Sequence, residues 1–207
     1  MKKFALVLCA IVLILCLFGC NKDNTENNSI VESNDKSWAD VPEYSKEYPT
    51  ADDIATAYNA ANTAFGWMAL TSVPPLDRED TYVVDGVTFY RVDVPQINSL
   101  SDLELYYKTL FDTDTVQMLM EVNEEIGRFI ENPEGGIYCY GFSYEPEGYS
   151  EEEVFTVTKN SETSYTYTVS YHTVDEEGNK KREHSDSFRF EKVDGRWIFV
   201  DFYAYRQ

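Results

Sequence analysis

Residues 164–172, Ser-Tyr-Thr-Tyr-Thr-Val-Ser-Tyr-His, decide the fold. Tyr165, Tyr167, Val169 and Tyr171 alternate with Ser164, Thr166, Thr168, Ser170 and His172, so an extended chain puts the large side chains on one face and the small polar ones on the other. A sheet wet on one face belongs to the antiparallel kind, because parallel sheets are covered on both. Further along, Phe188 and Phe190 alternate with Ser187, Arg189 and Glu191. An Asp194-Gly195 turn then leads into Trp197-Ile198-Phe199-Val200, apolar on both faces, which predicts a central strand. Everything from Ile137 onward reads as strand and turn, a meander.

Toward the N-terminus the apolar period changes from two to 3.6. Thr50 with Asp53 forms a cap of the Thr-x-x-acid kind, and Ile54, Tyr58, Ala61, Phe65 and Met68 recur at helical spacing until Pro74 and Pro75. Residues 81–84 and 87–92 flank Asp85-Gly86, a pair suited to the positive φ angles of a tight hairpin. Ser101 and Glu104 predict a second capping box ahead of Leu103, Tyr106, Tyr107, Leu110 and Phe111. After a break at residues 112–114, a further helix is predicted through Val116, Leu119, Met120 and on from Val122 to Ile130, with Pro133, Gly135 and Gly136 ending the helical region. No strand-helix-strand alternation is long enough for a parallel sheet. The predicted class is therefore α+β, N-terminal helices and a hairpin packed on an antiparallel meander sheet, without internal repeats.

The 207-residue chain begins with Lys2 and Lys3 followed by an apolar run over residues 4–18. That is the pattern of an export signal, and it is shorter than the ~20 apolar residues that span a bilayer. Leu17-Phe18-Gly19-Cys20 resembles a bacterial lipobox, so residues 1–19 read as a lipoprotein signal peptide and Cys20 as the lipid attachment point. Acyl chains hold a protein to a membrane at ~0.8 kcal/mol per buried CH₂. From the lipidated Cys20, residues 21–37 are polar, mostly Asn, Ser, Asp, Glu and Lys with only Ile30 and Val31 apolar, so residues 20–37 read as a flexible tether reaching roughly 20–25 Å. Residues 38–207 form the single predicted domain, with residues 38–48 as an aromatic lead-in that packs on the body. The expected location is the extracytoplasmic face of the cell membrane.

Removing Lys2 and Lys3 leaves 15 basic against 37 acidic side chains, a balance of −22. Nucleic acid is excluded as a partner, since its phosphates would be repelled. A cationic protein surface fits that charge. Cys9 and Cys16 depart with the signal and Cys20 is acylated, so Cys139 is the one remaining thiol and no intrachain disulfide forms. Cys139 lies in an aromatic strand and reads as a small core hydrophobe rather than a nucleophile served by His172 or His184, both placed on solvated surface. Two lone histidines make no zinc site, no phosphate loop or hydrolase elbow occurs, and no cofactor is called for. Asp201, between Val200 and Phe202, reads as an outward strand residue rather than a general acid. No catalytic residue is assigned and the chain reads as a non-enzyme. The candidate binding surface is the loop carrying Tyr144, Glu145, Glu147, Tyr149, Glu151, Glu152 and Glu153, in which tyrosines give contact area at low entropic cost and acids seek a basic partner.

Leu103-Glu104-Leu105-Tyr106-Tyr107 with Leu110-Phe111, the helix over residues 116–120, and the closing Val193-Asp194-Gly195-Arg196-Trp197 give residues 49–207 a pattern that resembles the IseA family. These are exported inhibitors of D,L-endopeptidases from Gram-positive bacteria. The resemblance implies binding to the catalytic domain of a peptidoglycan endopeptidase of the NlpC/P60 type, and restraint of wall autolysis. It carries no functional residue onto a position of this chain, and the lipobox departs from a freely secreted inhibitor. The order of elements and the Asp-Gly-x-Trp-x-Phe ending also resemble NTF2-like and cystatin-like domains, which would imply an accessory lipoprotein binding a small ligand, peptide or wall fragment.

Overall fold

A computed structural model describes residues 48–144, 149 and 153–203; the signal, Cys20, the tether and the lead-in up to residue 47 lie outside them. Tyr48, the described end of the lead-in, sits under the Lys159 ammonium, 4.7 Å from its ring centre. Helix α1, Ala51–Met68, opens on the expected capping box: the Thr50 hydroxyl accepts from Asp53 N–H at 3.2 Å and the Asp53 carboxylate accepts from Thr50 N–H at 2.8 Å. Its apolar face, Ile54, Tyr58, Ala61, Phe65 and Met68, is buried as the spacing predicts. The chain then doubles back. Thr71 and Ser72 N–H both donate to the Gly66 carbonyl, and a Cβ at Gly66 would meet their hydroxyls at 2.7 Å, so glycine is what lets the return pass so close.

Strands β1, Leu76–Val84, and β2, Val87–Val92, join through Asp85 (φ 50°) and Gly86 (φ 80°), the expected hairpin, with a register shift between Asp77 and Thr81 that lets β1 start before residue 81. Helix α2, Leu100–Leu110, is capped by Ser99 and not by Ser101. Ser99 Oγ accepts from Asp102 N–H at 3.0 Å, and the Leu100 N–H is taken by the Glu131 carboxylate at 2.7 Å. The earlier start wins because it adds Leu100 to the core and frees Glu104 to pair with Lys108. Helix α3, Thr113–Ile126, stops short of Ile130. Gly127 takes the left-handed conformation (φ 62°), and Asn123 clamps Phe129 by accepting from its N–H at 2.7 Å and donating to its carbonyl at 3.1 Å. Phe129–Glu131 is therefore strand β3, and Pro133, Gly135 and Gly136 turn it into β4, Ile137–Tyr140.

The meander is not continuous from Ile137. β4 pairs with β2 and β3 in a first sheet of order β1-β2-β4-β3, while β5 (Val154–Lys159), β6 (Ser164–Val174), β7 (Lys180–Val193) and β8 (Arg196–Val200) form a second in chain order. β8 is thus terminal in its sheet rather than central. Its outer edge is met by the α2–α3 junction, where Phe111 pairs with Phe199 and Asp112 N–H donates to the Phe199 carbonyl at 3.0 Å, so Trp197, Ile198 and Phe199 are all buried. The alternation in β6 holds, with Tyr165, Tyr167, Val169 and Tyr171 inward. Rings fill the space between α1 and this sheet: Tyr58 stacks on Tyr167 at 4.4 Å and touches Phe188 at 5.1 Å and Phe202 at 6.1 Å.

Arg128 is 1 % exposed. Its partners among the described residues are three backbone carbonyls: Nε donates to Trp67 O and Nη2 to Ser72 O, each at 3.0 Å, and Nη1 donates to Tyr140 O. Replacing Arg128 with Met takes the guanidinium from three backbone carbonyls, the buried Trp67 O and the part-buried Ser72 O and Tyr140 O, and is expected to cost ~2 kcal/mol or more. Arg128→Lys should fall between, and Asp201→Asn, which removes only the exposed partner of Arg189, should cost under ~1 kcal/mol. Urea unfolding midpoints of the three variants check that order.

Candidate functional site

β4 faces the core through Ile137 and Cys139, so its other face, and the chain leaving it, present Tyr140 and Phe142. With Tyr144 these form a row of three aromatic side chains 43, 49 and 46 % exposed. The Tyr140 and Phe142 rings lie 6.2 Å apart, 24° from parallel. Beside them a groove of about 450 Å³ is lined by Arg78, Val87, Thr88, Tyr90, Tyr140 and Phe142. The Arg78 guanidinium rests on the Tyr90 ring at 4.9 Å. A Cβ at Gly141 would meet that ring at 2.9 Å, so glycine brings the row over Tyr90. Tyr144 N–H donates to the Leu70 carbonyl at 2.9 Å, tying the row to the return after α1.

The residues chosen from the sequence divide here. Tyr144 belongs to this exposed row. Tyr149 folds back on the second sheet, bridging Thr173 and meeting the Tyr171 ring edge-on at 5.6 Å. Glu153 is exposed, and Glu145, Glu147, Glu151 and Glu152 lie outside the described residues. Sequence reasoning missed Tyr140, Phe142 and Arg78. The signal was present: Tyr138, Tyr140, Phe142 and Tyr144 share a period of two with Cys139, Gly141 and Ser143 between them, and Tyr138 alone is covered, donating to Asp80 at 2.9 Å. Also missed was Asp186, which accepts from the hydroxyls of Tyr171 at 2.8 Å and Tyr203 at 3.1 Å. Burial and that carboxylate raise the Tyr203 hydroxyl above its ordinary range.

Cys139 is fully buried, its thiol donating to Tyr140 O at 3.4 Å, in a different sheet from both histidines. His184 is not simply solvated: it is half-buried and stacks on Tyr171 at 5.5 Å. Asp201 is exposed and bonded to Arg189. Among the described residues no three His, Cys, Asp or Glu side chains could hold a metal, and no helix is long and apolar enough to cross a membrane. What the site offers is exposed aromatic area with one guanidinium beside it.

Burial pushes the Cys139 thiol up from its ordinary 9.0 to about 12, partly opposed by Arg128. The unfolded chain therefore loses this proton between those values while the folded chain keeps it, and stability falls as pH rises through that window. Native protein is expected to alkylate slowly at pH 8, and Cys139→Ala to lessen the alkaline loss of stability, read from urea midpoints between pH 8 and 10.

No family model matches the chain, and no curated protein matches it.

Proposed function

We propose that this is a membrane-tethered extracytoplasmic protein that binds the catalytic domain of a cell-wall D,L-endopeptidase of the NlpC/P60 type and inhibits it by covering its active-site groove. The observation that supports this reading is the filled interior. Tyr58, Tyr167, Phe188, Phe199 and Phe202 occupy the space between α1 and the second sheet, where a ligand-binding reading needs a cavity. Recognition then falls to the surface, where the row at Tyr140, Phe142 and Tyr144 supplies anchors of the type that dominates protein interfaces. The charge of the exported part, −22 by count, steers such a surface toward a basic enzyme. A lipid at Cys20 and the tether behind it would hold the domain within reach of the wall zone.

The test is hydrolysis of peptidoglycan by the D,L-endopeptidases of the same cell in the presence of the purified domain, residues 38–207. Slowing is expected at micromolar protein and low salt, and no effect on any of those enzymes overturns the reading. Tyr140→Ala or Phe142→Ala should weaken inhibition by ~2 kcal/mol, about thirty-fold. Association should slow as salt shortens the Debye length from about 10 Å at 0.1 M toward about 3 Å at 1 M, with dissociation changing less. Cys20→Ala should abolish incorporation of labelled fatty acid; equal label in both proteins refutes the anchor.

A further inference from the structure

Helices α1 and α3 leave a second depression, of about 320 Å³, lined by Phe65, Met68, Ala69, Met118, Val122 and Tyr203. It shares no lining residue with the groove at Tyr140 and Phe142. α3 buries Val116, Leu119 and Asn123, yet it carries a further apolar stripe at Met118, Val122 and Ile126, spaced by four residues. Met118 is 38 % and Ile126 47 % exposed. The stripe runs about 12 Å along the helix, the length of two turns. The acids three and four residues from the stripe border it: Asp114 and Glu121 flank Met118 and Glu125 follows Val122, while α3 contains no lysine or arginine. Glu124 and Glu125 stand in the last turn, where the helix dipole disfavours negative charge and Lys or Arg would stabilise the helix. Stability of the helix alone does not account for this placement.

We propose that the α1–α3 groove is a docking site for a basic amphipathic helix of a partner protein, one apolar side chain seated between Met68, Met118 and Tyr203 and flanking lysines or arginines meeting Asp114, Glu121 and Glu125. Helix-in-groove recognition seats anchors of the guest helix at i and i+4, and Met118, Val122 and Ile126 extend the apolar wall over the two turns those anchors span. Two methionines in the lining suit it, because unbranched side chains adjust to the anchor they receive. A second copy of this chain is a poor occupant, since its own α3 would bring the same acids face to face.

The test uses the whole domain and a fluorescent 18-residue amphipathic peptide of Leu and Lys, with its Leu and Glu counterpart as control, read by anisotropy. The Leu–Lys peptide should bind at least tenfold more tightly than the Leu–Glu one. Reversal of Asp114, Glu121 and Glu125 to Lys should weaken it about tenfold, and reversal of the exposed Glu162, Glu176 and Glu177 less than twofold, although the net charge is the same. Met118→Asp is the deciding variant, with Val122→Gln as a milder second. Met118→Asp adds negative charge, so attraction by charge alone predicts tighter binding and a seated anchor predicts weaker. Tighter or unchanged binding in both variants, or equal loss from the two triple reversals, overturns the proposal. A tenfold gain on deleting residues 204–207 would assign the groove to the chain's own tail, and dimerisation abolished by Met118→Asp would assign it to a second copy; either overturns it too.

Discussion

The Arg128 guanidinium holds the two halves of the described chain in register. Three donors from one planar group reach the last turn of α1 at Trp67, the return at Ser72 and the end of β4 at Tyr140. α1 has no basic residue in its last turn, and Arg128 supplies from elsewhere in the chain the cation that its negative end favours. Burial lowers the pKa of the guanidinium, but arginine starts high enough to remain charged. The arrangement depends on Gly127, whose left-handed turn ends α3 at the residue before Arg128, and on Asn123, which fixes the strand that follows. The exposed row at Tyr140, Phe142 and Tyr144 begins on the strand so anchored.

The rest of the stability comes from rings. Cys139 is the one cysteine among the described residues and is unpaired, so no cross-link limits the unfolded state there. The core is instead filled by aromatic side chains, and in places packing overrides hydrogen bonding. The Trp67 and Trp197 indole N–H groups are buried without an acceptor among the described residues, while their rings stack on Tyr106 at 5.5 Å and Phe190 at 5.6 Å. Each unmet donor costs about 1–3 kcal/mol, offset by the area those large rings remove from water.

Local chemistry was legible in the sequence and long-range pairing was not. The Asp85-Gly86 turn, the Thr50 cap and the alternation of β6 each depend on neighbours within a few residues, and the structure has all three. Ser99 and Ser101 head two overlapping Ser-x-x-acid patterns, and the choice between them rests on distant groups, the Glu131 carboxylate on the Leu100 N–H and the core against which Leu100 packs. An apolar strand that is terminal looks central when a remote junction covers its edge, as Phe111 and Asp112 cover β8. The same limit divided the candidate site. Tyr144 and Tyr149 are five positions apart in sequence, but the boundary between two sheets runs between them. Tyr140 and Phe142 escaped notice because an aromatic strand reads as core until its pairing shows which face is covered.

The bridge between Phe111 and Phe199 also sets an order of events. It joins segments far apart in sequence, and Phe202, beyond the last strand, inserts against Phe65, Phe111 and Phe188 from three earlier parts of the chain. Loop-closure entropy must be met before such contacts repay it, which makes folding slow for a domain of this size. β8 pairs with β7 across the two-residue Asp194-Gly195 turn, so the costly step is the docking of that hairpin's edge on the α2–α3 junction, before which the rings of α1, β6 and β7 lack their cover, the kind of transient surface on which chains associate wrongly. Misassociation of chains therefore competes with folding in the interval before that docking.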